Sequence, residues 1–430
     1  CGVTASVDDN NIIAVSGDVS HPANFGKLCL KGSALHETMG DVGRLMHPRI
    51  EGSQTDWPTA IRTVADRLSQ VRDQYGSGAI AFYLSGQLLT EDYYVANKLA
   101  KGFIGTGHVD TNSRLCMSSA VAGYKRAFGS DAVPCNYEDL EQCDLLVLTG
   151  SNAAWTHPVL YQRMVEAKKV NPSLKVVVID PRRTATCDLA DLHLAIAPGS
   201  DHFIFSGLLH YLAANGHTDL DYIEQHTEGF ASALDRCTRA TLINVSEQAD
   251  IDLDDLKTFY QWFAKTEKAI TFYSQGINQS ATGADKCNAI INCHLATGKL
   301  GKVGAGPFSI TGQPNAMGGR EVGGLANMLA AHMDYSLENI ATVAEFWGTD
   351  NVSCEPGLKA IDLFDAVADG RIKAIWIMGT NPVVSMPNAD TVMAALENCD
   401  TVIVSDCVAE TDTTATANIL LPATGWGEKE

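Results

Sequence analysis

Leu145-Leu-Val-Leu-Thr149-Gly150-Ser151-Asn152 is a continuous apolar run that ends on a glycine and two small polar residues, and Ala374-Ile-Trp-Ile-Met378-Gly379-Thr380-Asn381 repeats it. A run that is apolar at every position predicts a strand covered on both faces, as in a mostly parallel sheet. The residues after each copy are also alike. Val178-Ile-Asp180-Pro181-Arg182-Arg-Thr184 leads to Leu194-Ala-Ile-Ala-Pro198-Gly199-Ser200-Asp201, and Ile403-Val-Ser405-Asp406 leads to Ile419-Leu-Leu-Pro422. The Gly-to-Asp spacing is 30 positions in one copy and 27 in the other, and the Asp-to-Pro spacing is 18 and 16. In doubly wound sheets, ligands bind beyond the carboxyl ends of the strands. Glycine there lets backbone approach a phosphate, and a strand-end acid can bond a ribose or base edge. Two such units predict two nucleotide-like ligands; the other reading is a duplication kept for folding alone. No G-x-G-x-x-G is present, so the ordinary nicotinamide fingerprint is absent.

Further apolar runs at 79–84, 176–179, 194–197, 269–273 and 401–405 alternate with helical periodicity, clearest from Trp57 to Tyr75 and from Glu91 to Phe103. This predicts an α/β protein: a small β-rich module at 1–48, then doubly wound, mostly parallel sheets with helical crossovers. The most glycine-dense segment, from Gln275 to Glu321, reads as loop passing close to a ligand or other backbone. His294 within it reads as a core or loop histidine. Arg320 is the one cation between Val303 and Glu321, and is either an anion contact or half of a surface ion pair.

With 430 residues, 45% of them apolar, the chain can bury two or three cores. Its formal net charge of −20 excludes a nucleic-acid surface and disfavours an anionic substrate unless the site supplies its own positive charge. No apolar run of about 18 residues is present to span a membrane. The cysteines are scattered, with no C-x-x-C, so neither a zinc ribbon nor a disulfide framework is expected; Cys135, Cys143, Cys187, Cys237, Cys287, Cys293, Cys354 and Cys399 read as plain thiols.

Cys116 differs from these in its surroundings. It comes after the loop-like Thr111-Asn112-Ser-Arg-Leu and precedes Met117 and Ser118-Ser119, a pair able to cap the Ala/Val/Tyr run beyond. A helix entrance stabilises a thiolate, the form in which sulfur binds a soft transition metal. The alternative is a small buried hydrophobe.

Together these stretches resemble the large catalytic subunits of the molybdopterin oxidoreductase (dimethyl sulfoxide reductase) family, and within it the bacterial assimilatory nitrate reductases, with periplasmic ones close behind. Cys1-Gly-Val and Cys29-Leu-Lys31-Gly, with 27 residues between the two cysteines, look like the third and fourth cysteines of the family's C-x2-C-x3-C-x27-C cluster motif, and Cys116-Met117 looks like the molybdenum ligand and its neighbour. The resemblance implies a 4Fe-4S cluster on Cys1 and Cys29, and molybdenum on Cys116 carried by two molybdopterin guanine dinucleotides, each held by one α/β domain, one of them discontinuous (49–113 with 320–430) and the other 114–319. It implies Lys31 between cluster and pterin, and Gln87, Asn112, Gln275 and Gln279 on the pterin side. One dinucleotide would lie on Thr149, Gly150, Ser151, Asn152, Thr156, Asp180, Pro181, Arg182, Thr184, Gly199, Ser200 and Asp201. The other would lie on Gly379, Thr380, Asn381, Ser405, Asp406 and Lys429. Cys116, Met117, Arg320 and Lys31 would carry the reaction, nitrate to nitrite. Electrons would come from a donor protein: a ferredoxin, a flavodoxin or a flavoprotein reductase subunit. The expected compartment is the cytoplasm, with the periplasm as the alternative. Formate dehydrogenases on the same fold place His after the ligand where this chain has Met117, and a molybdenum-free scaffold subunit is the third reading. The first two cluster cysteines and the family's C-terminal barrel domain are not in the sequence, so this chain is expected to complete neither the cluster nor the cofactor site.

Overall fold

The computed structural model describes residues 1–9 and 11–429; Asn10 and Glu430, which fall in the predicted 1–48 and 320–430 spans, lie outside the described residues. The chain divides into two compact units, Cys1–Ala34 with Cys116–Gly312 and Leu35–Leu115 with the segment from Gln313 onward.

In the first unit, five parallel strands run in the spatial order Gly306–Ser309, Ala269–Tyr273, Leu145–Thr149, Lys175–Ile179, Leu192–Leu194. Alternate residues of the central strands face opposite cores. Leu145, Val147, Val177 and Ile179 pack with helices Asp201–Ala214, Leu253–Lys265 and Gly283–Ala296, whereas Leu146, Leu148, Val176 and Val178 pack with Pro158–Val170. Both faces are dry, which is why these strands read as unbroken apolar runs.

The second unit holds a seven-stranded sheet, in the order Ser53–Gln54, Arg49–Ile50, Ile419–Pro422, Thr401–Asp406, Ala374–Met378, Ile80–Leu84, Val109–Thr111. The two short strands at one edge are antiparallel; the other five are parallel. Tyr83, Ile375, Ile377, Val402 and Val404 face one core, and Phe82, Leu84, Ala374 and Ile403 the other. Counted from their equivalent edges, the five parallel strands of the two sheets correspond one to one. The chain enters them differently: the first unit begins at the central strand, the second at the pair Ile80–Leu84 and Val109–Thr111. The duplication visible in sequence as three strands is therefore five strands long and circularly permuted.

Several expectations shift. The predicted 1–48 module is divided: Cys1–Ala34, with its hairpin Val3–Asp8 and Asn11–Gly17, belongs with the first unit. The buried Arg163 explains this, because its Nη1 donates to the carbonyls of Pro22 (2.9 Å) and Ala23 (3.2 Å) and its guanidinium lies over the Phe25 ring. Residues 35–48 go with the second unit, where Leu45 is buried and its N–H donates to the Cys407 carbonyl. The strand expected at 194–197 is Leu192–Leu194. The glycine-dense segment contains a helix, Gly283–Ala296, and a buried strand, Gly306–Ser309, whose ladder to Ala269–Tyr273 overrides its Gly-Pro start. The helix expected over 91–103 is Thr90–Asn97 followed by a π-helical stretch, Lys98–Ile104. The eight thiols set aside in the sequence are free, all buried except Cys354.

His294 is a core residue: fully buried, edge-on to Phe263, with Nε2 2.9 Å from Thr271 Oγ1. Burial pulls its pKa down to about 3, with Lys299 adding to the shift. The unfolded chain therefore binds a proton at His294 below pH 6.5 that the folded chain refuses until about pH 3, so stability falls as pH drops through that window. Between pH 7 and pH 5 the expected loss is about 2 kcal/mol. Unfolding measured at both pH values should show this increment in the wild type and not in His294→Gln.

Candidate functional site

The carboxyl ends of the two sheets carry the same hydrogen-bond pattern. Gly150 and Gly379 both have left-handed backbone (φ 56° and 62°), and each donates its N–H to the end of the neighbouring strand, Gly150 to Ile179 O (3.1 Å) and Gly379 to Ser405 O (2.8 Å). The asparagine two residues on directly precedes a single helical turn in each copy, Ala153–Thr156 and Pro382–Ser385, and its side chain bonds elsewhere. Asn152 Oδ1 accepts from Thr186 Oγ1 (3.0 Å), which accepts from Ala154 N (3.1 Å). Asn381 Oδ1 accepts from Thr413 Oγ1 (2.6 Å), which accepts from Val383 N (3.3 Å). Asp180 Oδ1 and Asp406 Oδ1 each accept from the backbone two residues ahead, Arg182 N (2.8 Å) and Val408 N (3.0 Å). Thr186 and Thr413 were invisible in sequence, where single threonines in polar loops carry no signal. Their common role emerges once both loops fold against an asparagine.

These ends have room and unused bonding capacity. Gly150 and Gly276 meet so closely that a Cβ on either would lie under 3 Å from the other's backbone. Beside Gly150, the buried hydroxyls of Thr149 and Ser151 have no hydrogen-bond partner in the protein; nor do those of Thr111 and Ser113, which flank Asn112 in the second unit. An orphaned buried hydroxyl costs about 1–3 kcal/mol unless a ligand or water reaches it. In each unit, a pair of them at a strand end fits a phosphate-bearing or pterin-like polar ligand. Asn112 ties its surroundings together, accepting from Gly86 N (2.7 Å) and donating to Thr380 Oγ1 (3.3 Å).

Cys116 is buried, and its sulfur already accepts from Gln275 Nε2 (2.8 Å) and shares a hydrogen bond with Thr311 Oγ1 (3.3 Å). Helix Arg114–Phe128 starts two residues before it and breaks at Met117 (φ −136°, ψ 22°), so Cys116 closes a short first turn rather than standing ahead of the helix. Behind Thr311 sits His157. Burial holds its imidazole below the ordinary pKa, opposed by the bond to Thr311. The ring donates from Nε2 to Thr311 O (2.8 Å), and its Nδ1 lies 2.9 Å from Thr156 Oγ1.

The remaining predicted residues are more dispersed. Gln87, Pro181, Arg182, Gln279, Lys31 and Lys429 are exposed, Lys429 lying 3.7 Å from Asp92. Thr184 caps the turn Ala185–Leu189. Gly199 has φ 89°, Ser200 Oγ donates to Ala197 O, and Asp201 is committed through Oδ2 to a buried ion pair with Lys286 (2.7 Å). Ser405 Oγ accepts from Trp376 Nε1. Arg320, on helix Ala316–Glu321, is buried, 3% exposed. Cys1 is exposed and Cys29 partly so. The buried Asn24, unnoticed in sequence, fixes their neighbours: it bonds both Gly2 N and Gly2 O and donates to Lys27 O. Among the described residues no three His, Cys, Asp or Glu side chains converge as a metal site, and no helix is long and apolar enough to cross a membrane.

Comparison with known proteins gives this geometry its context. The family model "Molybdopterin oxidoreductase" matches residues 44–430, and "Molybdopterin oxidoreductase Fe4S4 domain" matches residues 1–41. A nitrate reductase of Klebsiella oxytoca is 56% identical over 429 residues, covering 100% of this chain and 49% of that protein. A nitrate reductase of Shewanella frigidimarina is 51% identical over 440 residues, covering 100% and 47%. The chain thus spans about half the length of these relatives. Among solved structures, acetylene hydratase of Pelobacter acetylenicus shares the fold, with a TM-score of 0.78 at 17% identity over 99% of this chain and 61% of that one. The doubled strand-end geometry, the buried Cys116 and a family match over nearly every residue lead to one conclusion: the chain belongs to the molybdopterin oxidoreductase family.

Proposed function

We propose that the full-length protein reduces nitrate to nitrite at molybdenum. The observation that carries this reading is the identity to nitrate reductases along the entire chain. When bound, the molybdenum centre would supply the redox chemistry by which nitrate, two electrons and two protons give nitrite and water. Cys116 would ligate the metal, with Gln275 and Thr311 holding its sulfur in place. Thr149 to Asn152, Asp180 and Gly199 would hold one guanine dinucleotide, and Gly379 to Asn381, Ser405, Asp406 and Lys429 the other. The orphaned hydroxyls of Thr149 and Ser151 support this placement. Asp201 keeps its ion pair with Lys286 and would orient the loop rather than meet the ligand. Cys1 and Cys29 would supply two of the four thiolates of a 4Fe-4S cluster, with Lys31 on the path from cluster to pterin. Arg320 would bring nitrate to the metal. An assimilatory role, a cytoplasmic site and a ferredoxin, flavodoxin or flavoprotein donor complete the proposal.

The test uses full-length protein loaded with cofactor. It is expected to contain molybdenum and iron, and to oxidise two equivalents of reduced viologen for each nitrite formed. Iron without molybdenum would mark a scaffold, and viologen reduction by formate with no nitrate turnover would mark a formate dehydrogenase.

A further inference from the structure

Residues 322–329 come directly after the Arg320 helix and form neither helix nor strand, yet Leu325, Ala326, Met328 and Leu329 are buried. An irregular buried segment must find partners for its carbonyls. Here two side chains one turn apart provide most of them. Asn97 Nδ2 donates to Val322 O and Leu329 O (both 2.8 Å). Lys101, in the π-helical stretch and fully buried, donates from Nζ to Gly323 O (2.7 Å), Leu325 O (2.9 Å) and Met328 O (2.6 Å). An ammonium has three N–H bonds, and all three are used. Burial opposes the charge and pulls its pKa down to about 7, with Asp110 acting against the shift and Arg114 with it.

The opposite side of the segment is held by Asp110, also fully buried. Its carboxylate accepts from Ala326 N (3.3 Å), Ala360 N (2.8 Å) and Arg114, whose Nη2 also reaches Asn327 Oδ1 (2.7 Å). The segment is tight as well: a Cβ on Gly323 would lie 1.3 Å from Leu329 O. At its start, Gly323 N closes on Arg320 O (3.3 Å). Arg114 lies two residues before Cys116 in the chain.

A buried charge is an expensive way to satisfy three carbonyls if cohesion were the only requirement, since apolar packing serves that better. What it adds is a single position for the loop. We infer that Lys101 is a positioning residue for Arg320: by binding three carbonyls of 322–329 it fixes the exit of the Arg320 helix, and so the place of the guanidinium. The catalytic part of this inference rests on the proposed nitrate reduction; the clamp itself does not.

The experiment has two readouts on full-length, cofactor-loaded protein. In Lys101→Met, and in the milder Lys101→Gln should the first fail to fold, amide hydrogen exchange over 316–329 is expected to rise well above wild type while molybdenum content stays normal. In steady-state kinetics, Lys101→Met is expected to lower kcat/KM for nitrate about ten- to a hundredfold, mostly through KM. In an Arg320→Ala background the same substitution should change it by less than about twofold, because the two residues act in series. Unchanged exchange in both variants overturns the clamp. Raised exchange with effects that multiply across the two backgrounds overturns positioning of Arg320 and leaves Lys101 a structural residue. A wild type that does not turn over nitrate overturns the functional reading, and with it the catalytic part, while exchange still decides the clamp.

Discussion

Cys116→Ser in the full-length, cofactor-loaded enzyme is expected to lose nitrate reduction by at least about a hundredfold, with the fold intact. The lower bound rests on the cost already incurred by removing an outer partner of a metal ligand. A hydroxyl is nearly isosteric with the thiol and can keep the contacts from Gln275 and Thr311, so the buried turn at Arg114–Cys116 has no reason to unfold. The change is in the donor: an alcohol is harder and far less acidic than a thiol, and bonds poorly to a soft metal. Thermal unfolding and far-UV circular dichroism should match the wild type while turnover is lost. Wild-type turnover in this variant would remove Cys116 from the metal.

Arg320→Ala is expected to lower kcat/KM for nitrate by roughly ten- to a hundredfold. That range corresponds to the roughly 1.5–3 kcal/mol of one charge-assisted hydrogen bond to an anion. The electrostatic setting makes the contact matter. With a formal net charge of −20, the mean field of the chain repels nitrate, so approach depends on local cations whose field water does not screen. Arg320 is 3% exposed, so its charge acts in a poorly screened environment. Arg320→Lys should recover only part of the loss, because a point charge lacks the planar fork. Steady-state kinetics at normal molybdenum content decides: a change within about twofold for Arg320→Ala would leave Arg320 a packing residue, and the anion contact would have to be sought elsewhere.

The sequence disclosed features set by local chemistry. Helix Trp57–Tyr75 could be read because Asp56 caps it through Thr59 N and its apolar positions recur at helical spacing. The repeated apolar run ending in Gly, a small polar residue and Asn could be read because both faces of each strand are buried and each turn needs positive φ. Features set by distant partners were hidden. Val109–Thr111 and Gly306–Ser309 are three and four residues long, and each is a strand only because a longer one lies beside it. Thr186 and Thr413 matter through an asparagine more than thirty positions away, and Asn24 through Gly2. Nothing in the sequence around Lys101 marks it as buried. Its burial is caused by a segment more than two hundred residues later that brings its carbonyls to it.

The circular permutation sets an order of events on the ribosome. The strands of the first unit are made in one continuous stretch, from Leu145 to Ser309, so its sheet can close while synthesis continues. The other sheet cannot. Ile80–Leu84 is made early, but its lateral neighbour Ala374–Met378 arrives only after the whole intervening unit, tens of seconds later at about 5–20 residues per second. For that interval Ile80–Leu84, apolar at all five positions, has an unpaired edge. A nascent chain halted shortly after Ser309 should therefore hold one folded sheet and one adhesive strand, the species on which a trigger-type chaperone or an aggregation pathway would act.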